Sequence, residues 1–323
     1  MKEFDFIHQI KKLFPASWEN SVGNDCALFD LQGEKGLITK DLLVENVHFY
    51  PDIPVQALAY KSLMVNMSDV LSDGGTPLFF IIGVGAPSKD HPLIQELYAY
   101  YSRYTKEWNI PVIGGDTVSS PVFFLSVTCV GRSPEKPWLR KNAQPGDNIY
   151  LTGELGASAY GFEKIQAKGH DLSDTDIYSH LFPPFHQKSV SYLQGKVNAA
   201  IDISDGLLPD LSHILEESQK GAEIFEIKIP FASGLPEDRS ELAFYGGEDY
   251  QILFTTPWKI DEADFLKETG FRLSCIGKIT DNMGKIVLQK IEKSLLLKIK
   301  DIQDKGFDHW NSSPTFMKTG KKT

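Results

Sequence analysis

The sequence is poor in cysteine, in basic runs and in long apolar stretches. Only three cysteines, Cys26, Cys129 and Cys275, occur in 323 residues. Their number and spacing argue against a disulfide framework or a cysteine-rich zinc centre. The opening residues, Met1 to Phe14, mix charged and apolar side chains and do not read as a secretory signal. The longest apolar stretch, Pro77 to Ala86, is too short to span a bilayer. The expectation is a cytoplasmic, reducing location with no membrane partner. Lys and Arg number 33 against 43 Asp and Glu, a formal net charge of -10. No basic run is interleaved with aromatics, so a broad nucleic-acid surface is not expected. Familiar phosphate motifs are missing as well. The small-residue run Gly153 to Gly161 lacks the Gly-Lys-Ser/Thr ending of a Walker A loop, and no convincing G-x-G-x-x-G occurs. Nor is there the His-Arg-Asp and Asp-Phe-Gly set of a protein kinase. An acidic chain of this kind binds phosphates locally, through metal ions, backbone amides or a few bases.

What is present is ordinary globular composition, 41% hydrophobic and 24% charged, in a chain long enough for two domains or one large one. Phe4, Ile7, Ile10 and Phe14 lie near helical spacing. Leu28 to Leu31 and Gly36 to Thr39 read as short strands. Gln56 to Leu71 reads as a helix, Phe79 to Val84 as a buried strand, and His91 to Trp108 as a second long helix. Val112-Ile113 and Val122 to Val130 read as strands flanking a Gly114-Gly115-Asp116 turn. The turn-rich run Asn142 to Asp147 marks a boundary, dividing the chain into 1–142 and 143–323. Beyond it, strands are expected at Ile149 to Thr152, Ala199 to Ile203, Tyr250 to Thr255 and Cys275 to Thr280. Helices are expected at Ala157 to Gln166 and Gly206 to Ser218, and Gly169 to Pro184 reads as a mobile or exposed connection. The alternation predicts an α/β fold with mixed sheets.

Aspartates recur where a surface charge has little structural reason to be: Asp25, Asp41, Asp69, Asp116, Asp202 and Asp205. Several lie at strand ends, from which carboxylates can converge. Clustered carboxylates repel one another unless cations intervene, and magnesium suits such an oxygen-rich site. Each Asp alone is weak evidence, because an Asp at a strand end is commonly a turn former or helix cap. Asp202 and Asp205 can face one side of a tight turn, or Asp205 can cap the helix after it. Gly114-Gly115 either permits a tight bend or brings backbone N–H groups close to phosphate.

Taken together, the motifs resemble the thiamine-monophosphate kinase family. They are Gly23-Asn-Asp-Cys-Ala-Leu28, Thr39-Lys-Asp-Leu-Leu-Val-Glu-Asn-Val-His-Phe49, Ala59 to Asp69, Ile113-Gly-Gly-Asp-Thr117, Ala200-Ile-Asp-Ile-Ser-Asp-Gly-Leu207, Gly246-Gly-Glu-Asp-Tyr250 and Lys305-Gly-Phe-Asp-His-Trp310. The resemblance runs nearly end to end in the same order. It implies the fold shared with aminoimidazole ribonucleotide synthetase and selenophosphate synthetase, with N-terminal sheets pairing in a homodimer. Residues 1–142 would then bind metal and nucleotide and form the dimer, and 143–323 would complete the cleft. The implied reaction is phosphorylation of thiamine monophosphate by ATP with several magnesium ions; potassium is a candidate further ion. By resemblance, Asp25, Thr39, Asp41, Asp69, Asp116, Asp202 and Asp205 are metal ligands, with Asp69, Asp116, Asp202 and Asp205 central to catalysis. Gly115, Asp116, Arg140 and Ser204 contact the nucleotide, and His48, Glu248 and Phe307 bind the acceptor. Two departures stand out. Asn24-Asp25 replaces the common Asp-Asp, and Lys40 interrupts Thr39-Lys40-Asp41; pointing inward, its ammonium would replace part of a metal's charge or touch a phosphate, and pointing outward, only its backbone is a candidate ligand. The competing readings are a related ATP-using synthetase and a weakly catalytic nucleotide or thiamine-phosphate binder.

Overall fold

The computed structural model describes residues 24–87, 91–290 and 294–303. The expected first helix and the Lys305 to Trp310 motif, including Phe307, lie outside the described residues.

The first sheet comprises β1 (Ala27–Leu31), β2 (Glu34–Val44), β3 (Thr76–Ala86), β4 (Val112–Ser119) and β5 (Phe124–Arg132), in the order β1-β2-β5-β3-β4. All neighbours are antiparallel except β3 and β4. Two helices, α1 (Val55–Ser72) and α2 (His91–Trp108), complete this part. The period-2 rule of a strand decides what β2 shows to each side. Leu37, Thr39 and Leu43 are buried, whereas Ile38, Lys40 and Leu42 between them are exposed. The inward set meets α1, which packs on β2, β3 and β5.

Helix α1 is buried almost all round, including its polar residues Lys61, Ser62, Asn66 and Ser68. A helix buried on every side sits between two layers. Beyond the first sheet it touches β7 (Ala199–Asp202) and the short helices α4 (Thr175–Leu181) and α5 (Gln187–Leu193). One apolar core therefore runs from Leu37 and Val127 through Leu63 and Met67 to Ala200 and Phe254.

The second sheet has the order β12-β11-β8-β10-β6-β9-β7. Its other strands are β6 (Asn148–Thr152), β8 (Gly221–Phe225), β9 (Ile252–Thr256), β10 (Leu273–Thr280), β11 (Lys285–Gln289) and β12 (Ser294–Lys298). Only β8 and β11 run parallel. Its remaining helices are α3 (Ala157–Lys168), α6 (Leu207–Ser218), α7 (Glu241–Tyr245), α8 (Glu262–Thr269) and α9 (Ile299–Gln303). Helix α6 buries Leu207, Leu208, Leu211, Ile214 and Leu215 in a separate core with Ile149, Ile224 and Ile276.

Two expectations are corrected. Gly114-Gly115-Asp116 is not a turn but lies inside β4, paired with Ile81, Ile82 and Gly83. A Cβ at Gly115 would sit 2.0 Å from the Ile82 carbonyl oxygen, so close strand approach explains that glycine. The segment Gly169 to Pro184 is not a loose connection. It contains α4, capped by Asp174 and anchored by buried Ile177 and Leu181.

His186, just before α5, is buried and bonds Gln251 at 3.0 Å through Nε2 and Ser189 at 3.2 Å through Nδ1. Burial pushes its pKa down to about 4. Between about pH 6.5 and 4 the unfolded imidazole takes up a proton that the folded one refuses. The stability tied to His186 is thus complete above about pH 6.5 and is lost as pH falls through 4. Going from pH 7.5 to 4.5, the urea midpoint of the wild type in magnesium should lose ground to that of His186→Asn; curves that stay parallel would refute the assignment.

Candidate active site

Helix α1 brings the acidic residues together. Its Asp69 accepts a hydrogen bond from the inward Thr39 of β2 at 2.5 Å. Asn66, one turn earlier, accepts the backbone N–H of Asp41 at 3.1 Å. Ser68 donates to Asp202, at the end of β7, at 2.5 Å. Ser72 donates to Asp25 at 2.9 Å. The result is that Asp25, Asp69 and Asp202 each place a carboxylate oxygen within 4.8 Å of the others. These residues come from a loop, a helix and a strand of the other sheet.

The electrostatics of the group are those of crowded like charges. Asp69 is pushed well above the usual carboxylate range by burial, then by Asp41, Asp202 and Asp25. Asp202 is pushed up by burial and then by Asp25. Arg140 forms an ion pair with Asp25, and its backbone N–H bonds the Asn24 side chain at 3.2 Å. The buried Arg140 Nε has no partner among the described residues. The donor set is hard oxygen at one point with little compensating charge, which fits a magnesium ion better than an empty core.

Other expected residues are placed differently. Asp205 groups with Asp210 and His213, and Asp210 feels the charges of both Asp205 and Asp202. Asp205 does not cap α6, whose N-cap is Gly206 with no side-chain cap bond. Instead Asp210, in the first turn, accepts the N–H groups of Asp205 and Gly206 at 3.0 and 3.1 Å and fixes that turn. Asp116 lies on the exposed strand β4 and accepts the Thr117 N–H at 2.8 Å; it is not in the group formed by Asp25, Asp69 and Asp202. Lys40 points to the face away from α1.

The Gly246 to Tyr250 loop folds against the Asp202 to Gly206 turn. The Ser204 carbonyl accepts the Glu248 N–H at 2.8 Å. Gly247 has φ 69°, and a Cβ there would meet that carbonyl at 2.2 Å. Asp249 points inward and caps α3, accepting the N–H groups of Gly156 at 2.8 Å and Ser158 at 3.1 Å. Lys61 and His180 approach the Glu248 carboxylate at 3.1 and 3.4 Å. Burial raises its pKa, but the Lys61 ammonium, together with the polar groups beside it, outweighs this and holds the carboxylate below its ordinary range. His48 accepts the Val44 N–H through Nδ1 at 3.1 Å, which fixes its ring.

Three comparisons bear on what this arrangement is. Residues 23–133 match the AIR synthase related protein, N-terminal domain, and residues 144–288 match the AIR synthase related protein, C-terminal domain. The thiamine-monophosphate kinase of Haemophilus influenzae is 34% identical over 330 residues, covering 97% of this chain and 99% of the relative. The chain belongs to the thiamine-monophosphate kinase family. The family's Escherichia coli K12 protein is 33% identical, over 90% of this chain and 92% of that one. A solved structure described as AaThiL complexed with AMPPCP and TMP superposes with a TM-score of 0.80 at 29% identity. It covers 95% of this chain and 97% of its own.

Lys61, Ser68, Asp73, His180 and Asp210 carry the site without having been singled out from the sequence. Asp73 is fully buried; one oxygen accepts the Cys26 N–H at 3.1 Å and the other has no partner among the described residues. The single readable signal was the dense polar content of an otherwise buried helix, Lys61 to Asp73.

Proposed function

We infer that this chain transfers the terminal phosphoryl group of ATP to thiamine monophosphate, giving ADP and thiamine diphosphate. The convergence of Asp25, Asp69 and Asp202 at one point carries this reading. The acceptor is a phosphate monoester with a second pKa of about 6, so its attacking oxygen is already anionic near neutrality. No strong general base is required, and the difficulty is to bring two anions together. Asp25, Asp69 and Asp202 would hold Mg2+, with Thr39, Asp41, Asp116 and Asp205 as further ligands suggested by the family resemblance. When bound, the ions supply neutralisation of the charge on the phosphoryl oxygens. Potassium is a candidate additional ion.

Arg140, tied to Asp25, offers guanidinium donors for nucleotide phosphates. Gly115 and Ser204 are assigned to the nucleotide, and His48, Glu248 and Phe307 to the acceptor, on the same resemblance. The division into 1–142 and 143–323 is supported by the two separate sheets. An exposed apolar face on the first sheet supports pairing as a homodimer. No described helix is long and apolar enough to cross a membrane, and we assign the protein to the cytoplasm.

The test is chromatography of products from purified protein with ATP, magnesium and thiamine monophosphate. Equal amounts of ADP and thiamine diphosphate, lost on adding EDTA, are expected. ATP consumption without thiamine diphosphate, with magnesium and potassium varied, would point to synthetase chemistry and overturn the reading.

A further inference from the structure

A buried network behind Glu248 has no part in the phosphoryl-transfer group. Lys61 is 2% exposed. Its ammonium lies 3.1 Å from Glu248 Oε1 and 3.3 Å from His180 Nε2. An ammonium only donates hydrogen bonds, so His180 Nε2 accepts and the imidazole proton sits on Nδ1. That Nδ1–H faces Ser158 Oγ at 3.0 Å and Glu248 Oε2 at 3.4 Å. Burial, then Lys61, lowers the His180 pKa to about 3, in keeping with a neutral ring. Each Glu248 oxygen therefore faces its own donor, one from α1 and one from α4.

The backbone beneath is equally constrained. Glu248 has φ 57°, a left-handed conformation unusual for a residue with a Cβ. It follows the Gly247 position where no side chain fits against Ser204. Strained backbone of this kind persists where surrounding structure over-determines it, commonly at a binding site. The Glu248 side chain is nevertheless 36% exposed, so part of the carboxylate stays available to a ligand.

Lys61 and Ser68 are seven positions apart on α1, which places them on one stripe of the helix about 10 Å apart along its axis. Ser68 holds Asp202 and Lys61 holds Glu248. One rigid helix thus ties the placement of Asp202 to that of Glu248.

We propose that Lys61 and His180 are positioning residues that hold the Glu248 carboxylate in one orientation toward the cationic, amine-bearing rings of the acceptor. This rests on the assignment of Glu248 to the acceptor. Removing Lys61 leaves a carboxylate that water already reaches, so Lys61→Met is compatible with folding.

The experiment is steady-state kinetics on Lys61→Met, Glu248→Gln and the double variant. Lys61→Met is expected to raise KM for thiamine monophosphate about tenfold while changing KM for ATP and kcat by less than about threefold. In the double variant KM for thiamine monophosphate should match that of Glu248→Gln alone, because Lys61 acts through Glu248. A normal KM in Lys61→Met alongside a raised one in Glu248→Gln overturns the proposal while sparing the role of Glu248. Multiplying effects in the double variant also overturn it. A normal KM in Glu248→Gln removes the assignment of Glu248 and the proposal with it. If Lys61→Met does not fold, His180→Asn takes its place in the same cycle. It removes the Lys61 contact, keeps a donor near Ser158, and should raise the same KM about threefold with the same non-additivity.

Discussion

Asp202→Asn is expected to lower kcat by at least about a thousandfold, roughly 4 kcal/mol of transition-state stabilisation, while the fold stays intact. The amide is nearly the shape of the carboxylate, so the buried contact to Ser68 can be kept. What disappears is one of three convergent negative charges. Asn binds magnesium far less well than Asp, and the ion-held alignment of two phosphates carries most of the catalysis in this chemistry. The same substitution has an opposite effect on the metal-free protein. Asp69 and Asp202 are both raised, by burial first and by neighbouring carboxylates second. A raised carboxyl binds its proton more tightly folded than unfolded. In EDTA, stability therefore falls as pH rises above about 4 toward the folded value. Asp202→Asn lacks its share of that fall and relieves repulsion on Asp25 and Asp69. Thermal melts in EDTA at pH 8 should show the variant above the wild type, and adding magnesium should reverse the order. Near-normal turnover, or a variant less stable than the wild type in EDTA, would count decisively against this account of the site.

The sequence made the acidic residues visible because their chemistry stands out where apolar or turn residues are expected. Asp25, Asp69 and Asp202 do converge. Helix α2 was legible to the residue at both ends, and α1 to within one residue, because long periodic segments leave little choice. Strand β4 was harder. Nearly all its residues are exposed, so no inward and outward alternation marks Gly114 to Asp116 as strand. The companions of the carboxylates were less legible still. A lysine on a helix normally reads as surface, and only the packing of α4 against α1 makes Lys61 an interior residue. Asp210 holds the Asp205 turn from within α6, a reach of five residues that no cap signature specifies. Asp205 was read as the companion of Asp202. The turn at Ser204 to Gly206 also brings it to Asp210 and His213, a matter of backbone direction that composition does not encode.

If the first sheets pair in the proposed homodimer, Ile81→Glu should leave a monomer at micromolar concentration. The first sheet has one face covered by α1, and the other exposes Ile38, Leu42 and Ile81 at 39%, 53% and 41%. Ile38 pairs with Val130, and Leu42 with Ser126, on β5; Ile81 pairs with Thr128 on the same strand from the opposite side. These apolar side chains share the outward face of β2, β5 and β3, with Lys40, Ser126 and Thr128 among them. Exposed apolar side chains gathered on one sheet face support a pairing surface there. Lys40 stands among them, opposite Thr128; one cation in such a face sets register more than it adds affinity. In a two-fold interface every substitution occurs twice, and an unpaired glutamate buried there is costly on both sides. A dissociation constant weakened by at least about a hundredfold, near 2.7 kcal/mol, is expected. Sedimentation velocity across a concentration series reads it directly, with circular dichroism showing that the inward core of Leu37, Leu43 and Val127 is intact. Since Ile81 faces away from α1, the variant loses no contact within the chain's buried core. A wild-type protein that is monomeric throughout, or a dimer that survives both Ile81→Glu and Leu42→Glu, would move the pairing surface elsewhere or remove it.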